Sequence, residues 1–190
     1  MSTPVPPNEA ERLQALKSYD VLDTPPEKVF DDLARLAAGI CGTESALVSL
    51  VDKTRQWFKA KVGWDASETS REVAFCSHTI LSSDVLIVPD ALKDERFARN
   101  PLVTADPHIR FYAGMPLINR DGHALGTVCV LDKQPRQLSP KQEDALRVLG
   151  SAARFPGPAI PEQTSAGQPR TRSGEDSGSH APSPPGRGWG

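Results

Sequence analysis

RFYAGMPLI (110–118) and ALGTVCVL (124–131) are two apolar runs of strand length, and the tight-turn dipeptide Asp121-Gly122 lies between them. Asp-Gly flanked by such runs is a strong short-range signal for a β-hairpin. A two-residue loop at Asp121-Gly122 pairs Arg120 with His123, Gly114 with Cys129 and Tyr112 with Leu131. Side chains alternate across a sheet, so this register places Arg110, Tyr112, Thr127 and Cys129 on one face. Phe111, Ala113, Met115, Val128 and Val130 fall on the other. The second face is wholly apolar and is expected to meet helices. The first combines hydroxyls, a cation and a thiol, the composition of a small-ligand pocket wall.

Working outward, a second hairpin precedes the first. Residues 46–51 form a near-continuous apolar run, 52–55 turn the chain, and 56–62 alternate Phe58, Ala60 and Val62 with Trp57, Lys59 and Lys61. Residues 75–81 suit a short helix, and 85–88 a short strand stopped by Pro89-Asp90. Three longer helices are expected. Asn8 with Glu11 has capping-box spacing, followed by Leu13 and Leu16. Thr24-Pro25-Pro26-Glu27 reads as a Thr cap with Pro at the first helical position, and Phe30, Leu33, Leu36 and Ile40 follow at helical spacing up to Gly39 and Gly42. Ser139-Pro140 with Gln142 repeats the cap logic ahead of Ala145, Leu149 and Ala152. The order α-α-β-β-α-β-β-β-α predicts an α+β fold. It has a central antiparallel sheet of five to six strands, helices packed on one face, and a short helix and loops capping the other.

The chain of 190 residues is unevenly apolar. Its last 36 residues, 155–190, hold seven Pro, seven Gly and five Ser, with Ile160 as the only branched aliphatic. Such a composition buries too little apolar area to offset its ordering entropy, so a disordered tail is expected there. A Pro-rich lead-in occupies 1–7, which leaves 8–154 as the folded domain. Lys+Arg 22 against Asp+Glu 24 gives a net charge of −2 without a long single-sign block, which argues against a general nucleic-acid or membrane surface. No signal peptide and no spanning segment is evident, so a cytoplasmic location is expected. Three cysteines, Cys41, Cys76 and Cys129, lack C-x-x-C spacing and predict neither a disulfide scaffold nor a zinc site.

Five segments then carry a resemblance. NEAERLQALKSYDVLDTPPEKVFDDLARLAA, ALVSLVDKTRQWFKAKVG, FCSHTIL, VPDALKDERFARNPLV and IRFYAGMPL with DGHALGTVCVLD resemble, in order, the GAF domains that precede bacterial sensor histidine kinases and diguanylate cyclases. The resemblance implies an antiparallel sheet with a small-molecule pocket on one face. It also implies a homodimer formed through the terminal helices, which pass a signal to an output domain of a two-component or cyclase protein. Members of this group continue their last helix into a catalytic domain, whereas this chain breaks at Phe155-Pro156-Gly157-Pro158. No phosphoacceptor box, Gly-rich nucleotide loop or GGDEF run is present, so a stand-alone sensor and a truncated or frame-shifted relative of a longer protein both stay open.

The candidate ligand-binding residues are Arg110, Tyr112, Thr127, Cys129, Cys76 and His78, with no catalytic or metal-ligating residue assigned and no cofactor named. Cys76-Ser77-His78 is the local feature that invites a redox, metal or chromophore role; a buried thiol and a helix-starting His are the plainer reading, since two ligands make no zinc site. Asp52 and Asp132 end strands and suit turns. Residues 96–108 form a connection that serves as pocket lid or as a compact loop pinned by Phe97 and Leu102. Trp57 and Trp64 are expected to pack or to make dimer contacts. The leading expectation is a sensory module that binds a small molecule or a signalling protein and carries out no chemistry. Its rivals are a dimerisation domain with a filled pocket and a cysteine-based reductase of free methionine sulfoxide, as in one GAF branch.

Overall fold

The computed structural model describes residues 3–153; the tail expectation for 155–190 lies outside the described residues. Six strands form one antiparallel sheet: β1 (Ser45–Val51), β2 (Arg55–Val62), β3 (Glu68–Ser70), β4 (Leu86–Val88), β5 (Phe111–Ile118) and β6 (Ala124–Asp132). Their spatial order is β3-β2-β1-β6-β5-β4. The two hairpins read from the sequence therefore meet at the sheet centre, where β1 pairs with β6 from Ser45↔Leu131 to Leu50↔Gly126.

Helices α1 (Glu9–Ser18), α2 (Lys28–Cys41) and α5 (Pro140–Ala152) cover one face. Under α2 and α5 lie Ala46, Val48, Ala60, Phe111, Ala113, Val128 and Val130, the apolar face expected of the hairpin. The short helices α3 (Cys76–Thr79) and α4 (Pro101–Thr104) cap the other face with Phe75, Ile80, Phe97 and Val103. The α+β architecture read from the sequence is the one found, with β3 and α4 added.

Six local expectations are corrected. The β5–β6 loop is three residues long, because Asn119, not Arg120, pairs with His123. A bulge at Leu125 then restores the register, so Gly114 still faces Cys129 and Tyr112 still faces Leu131. A second bulge at Lys59 puts Phe58 on the capped face while Ala60 and Val62 meet the helices; an extra residue flips the side-chain alternation.

Thr24-Pro25-Pro26-Glu27 does not cap α2, which starts at Lys28. Instead the Lys59 ammonium donates to Thr24 Oγ1 at 2.6 Å and to the Pro25 carbonyl at 2.9 Å, and it pairs with Glu27 at 2.6 Å. Asn8 likewise makes no side-chain cap, and Glu9 turns to Arg12 and Arg71. On α2 the buried stripe is Phe30, Leu33, Ala34, Ala37, Ala38 and Cys41, and Leu36 and Ile40 point outward. The alanines let this helix sit close to the sheet between the buried Phe30 and Leu33 at one end and Cys41 at the other. Ser139 and Gln142 do form the full capping box of α5, but Leu146 and Gly150, rather than Ala145 and Ala152, are its buried residues.

Candidate functional site

All six candidate residues lie on or beside the capped face, and four of them close a compact cluster. Strand alternation aims Ser49 from β1, Tyr112 from β5 and Thr127 and Cys129 from β6 toward α3, which lowers Cys76 among them. Thr127 Oγ1 donates to Cys76 Sγ at 3.0 Å, Ser49 Oγ at 3.3 Å and Tyr112 OH at 3.4 Å. Cys129 Sγ is 3.9 Å from Cys76 Sγ. Tyr112 OH also bonds Thr79 Oγ1 at 2.6 Å, and Ser49 bonds Thr127 at 2.9 Å.

All six of these side chains are buried, and Phe75 and Phe97, stacked with centroids 4.1 Å apart, lie over them. The wall expected to line an open pocket is thus filled by its own side chains, which bond one another. Gly114 is what lets Tyr112 lie down along the sheet: a Cβ at that position would stand 2.2 Å from the tyrosine hydroxyl.

The cluster perturbs its thiols. Burial opposes ionisation of Cys76, but bonds from Cys129, Ser49, Thr127 and Tyr112 outweigh it and bring the thiol down to about 7. Cys129 is pushed up, first by its bond to Cys76 and then by burial, and Tyr112 is pushed up chiefly by burial. Cys41 is apart from them, under α2, where burial alone raises it to about 11.

Arg110 and His78 take no part in the cluster. Arg110 donates to the carbonyls of Val103 at 2.9 Å and Ile109 at 3.1 Å, which clamps the loop before β5. His78 lies edge-on to Phe97 at 4.7 Å, and burial, then Arg96, lower its pKa. Asp52 and Asp132 accept from the backbone N–H of Lys53 and Gln134, as turn residues do. Trp57 is packed under α1, as expected of it.

An open cleft lies at the neighbouring edge of the capped face and was not legible in the sequence. It encloses about 440 Å³ between the 63–69 loop, the 102–109 segment and the end of β6, with Trp64, Asp65, Thr69, Asp106, Ile109 and Lys133 in its wall. Trp64 Nε1 and Thr69 Oγ1 are buried there without a hydrogen-bond partner. A buried donor left unpaired costs about 1–3 kcal/mol, so both groups call for an acceptor. Gly63 makes the cleft's turn, with φ +61°, and a Cβ there would stand 2.1 Å from the Glu44 carbonyl oxygen. Among the described residues no group of three or more His, Cys, Asp or Glu is placed to hold a metal ion.

A six-stranded antiparallel sheet with three helices behind it and short helices capping its front defines a small α+β sensory domain. The GAF domain pattern matches residues 25–155, and the chain belongs to the GAF domain family. A cyclic di-GMP phosphodiesterase of Pseudomonas aeruginosa is 38% identical over 152 residues, which is 80% of this chain and 26% of the relative. The chain therefore spans about a quarter of that relative's length.

Among solved structures, the PixJ GAF domain of Thermosynechococcus elongatus in its blue-light absorbing form superposes with a TM-score of 0.53 at 17% identity, covering 65% of this chain and 79% of that one. A domain of a two-component sensor histidine kinase protein from Sinorhizobium meliloti gives 0.53 at 15% identity, over 66% of this chain and 86% of that one. These likenesses establish the fold. The expectation that the chain carries out no chemistry is corrected by the phosphodiesterase relative, which carries an enzyme's name, over a match that takes in 26% of it. No described helix is long and apolar enough to cross a membrane.

Proposed function

We propose that this chain is the sensory input module of a cyclic di-GMP signalling protein working in the cytoplasm, and that its ligand enters the Trp64 cleft rather than the closed Cys76 cluster. The kinship with a phosphodiesterase supports the signalling context, and three free thiols suit a reducing compartment. The observation that carries the ligand reading is the pair of buried, unpartnered groups, Trp64 Nε1 and Thr69 Oγ1, on two of the residues that line one cleft. Glu44, Asp65 and Asp106 outnumber Lys133 around it, the Asp132 carboxylate being paired with Arg136, so the lining suits a small molecule that carries a cationic amine and at least one acceptor atom. An anionic dinucleotide would meet repulsion there. Binding biases the loops around the cleft, and the signal leaves through a homodimer whose contact is the outer face of α2 and α5.

Thermal-shift measurements on the full chain with the common free amino acids and short diamines test this reading, with cyclic di-GMP as the anionic control. The expected result is a stabilising shift from an amine that disappears in Trp64→Phe and in Asp106→Asn. If no amine shifts the wild type, or if cyclic di-GMP alone does, the cleft reading fails.

A further inference from the structure

We propose that Cys76 and Cys129 form a hydroperoxide-reactive dithiol, with Cys76 the attacking thiol and Cys129 the resolving one. The sulfurs stand 3.9 Å apart on two different elements, α3 and β6, and a disulfide needs about 2.05 Å. Three hydroxyls, those of Ser49, Thr127 and Tyr112, lie within 3.4 Å of the one sulfur of Cys76; Ser49 and Thr127 also bond each other, so two of the three donate to that sulfur at a time. Such a ring of donors has little use around a neutral thiol, which is a weak acceptor, and matches a thiolate.

Cys129 shares Thr127 and Tyr112 but lacks the Ser49 bond, and its thiol is held up where that of Cys76 is brought down, so the pair is asymmetric, as an attacking and a resolving thiol must be. Cys41 supplies an internal contrast: it is equally buried, among the apolar residues of α2, and far up in pKa. Access is the remaining requirement. Helix α3 is four residues long and is held between a 3-10 turn and the 82–85 loop. Cys76 lies beneath the stacked Phe75 and Phe97, so hydrogen peroxide, little larger than water, reaches it only when that cap opens locally.

The reaction balances as follows. The Cys76 thiolate attacks one peroxide oxygen, the O–O bond breaks, and the departing hydroxide takes up a proton as water, leaving Cys76 as sulfenic acid. Cys129 sulfur then attacks Cys76 sulfur, the S–O bond breaks, and the hydroxide leaves with the Cys129 proton as a second water. Two thiols lose two electrons and one hydrogen peroxide is reduced to two waters.

The test uses the full-length protein carrying Cys41→Ser, reduced and then exposed to hydrogen peroxide, with intact mass and denaturing peptide mapping as readouts. The expected product is an intramolecular Cys76–Cys129 link, lighter by two hydrogen atoms and fully reversed by dithiothreitol. In Cys129→Ser the link is lost and a 1,3-dione probe labels Cys76. Oxidation of Cys76 to sulfinic acid without a link, links only between molecules, or both thiols surviving peroxide that oxidises free cysteine in the same tube would each overturn the proposal. Should Cys129→Ser not fold, the mapping of the Cys41→Ser protein decides alone.

Discussion

Arg71 Nη1 lies 2.5 Å from Glu9 Oε1, joining residues 62 apart in the chain across the edge of the sheet. Arg12 Nε reaches the second oxygen of the same carboxylate at 2.8 Å, and Arg12 is wholly buried. Helix α1 carries few apolar contacts, chiefly Leu16, so this ionic joint is what anchors its first turn to the domain. Burial acts to raise the Glu9 pKa, but bonds from Arg12 and Arg71 outweigh it and hold the carboxyl down to about 2 from 4.5. A folded pKa below the unfolded one means stability that is present above pH 4.5 and drains away as pH falls toward 2. Glu9→Gln is expected to cost about 2–3 kcal/mol at neutral pH. In paired thermal melts the gap between wild type and variant should narrow steadily below pH 4.5, and a gap that stays constant down to pH 3 would contradict the assignment.

Tyr112→Phe tests the buried cluster. The change removes the bonds to Thr79 at 2.6 Å and to Cys76 at 3.4 Å but leaves the ring against Phe75. The cost should be about 1–2 kcal/mol, the usual figure for a buried hydroxyl network losing one member. Gly114→Ala should cost more, about 1–3 kcal/mol, because its methyl group would collide with the Tyr112 hydroxyl and force the ring off the sheet. Denaturant melts of the two variants give the comparison, and an unchanged midpoint for Gly114→Ala would mean that Tyr112 does not lie where it is described.

The hairpin around Asp121-Gly122 shows what a sequence can and cannot tell. Its apolar and polar faces followed from alternation alone, and the pairing of Gly114 with Cys129 was legible. The pairing came out right through two cancelling irregularities, a longer loop and a bulge at Leu125, neither of which has a period-two signature. Thr24-Pro25-Pro26-Glu27 misled because cap chemistry and cation-cradling chemistry use the same oxygen-bearing residues; only the bulge that swings Lys59 inward separates them. Tyr112, Thr127 and Cys129 were placed on the correct face, yet whether a mixed face is open or self-filled depends on what α3 lowers onto it. The Trp64 cleft was missed because it is assembled from loop residues 63–69 and 102–109, which carry no shared periodicity.

Lys59→Ala should expose how much that cradle contributes. The ammonium is buried, with Thr24, Pro25 and Glu27 as partners and the rings of Phe30 and Trp57 at 5.6 and 5.9 Å. Removing it opens space beside Phe30 and unties residues 24–27 from the sheet, a loss of about 2–3 kcal/mol. Lys59→Met, which keeps the packing volume and drops the charge, should recover part of that loss. Urea melts of both variants separate the two contributions, and equal losses in the two would assign the whole effect to the charge.

The outward side chains of α2 and α5 carry the dimer prediction. Leu36 is 54% exposed, Ile40 40% and Val148 57%, and the helices are tied together where Gln142 Nε2 donates to the Ile40 carbonyl at 3.0 Å. Large apolar side chains left in water on adjoining helices gain about 1.5–3 kcal/mol each when fully covered. A second copy related by a two-fold axis covers the same patch on both partners at once. Leu36→Lys and Val148→Lys place like charges across such an axis while touching nothing in the core. Light scattering should therefore find the wild type dimeric and the double variant monomeric, with the monomer keeping its far-ultraviolet circular dichroism. A wild type that stays monomeric at high concentration, or a double variant that stays dimeric, would move the output of this domain away from α2 and α5.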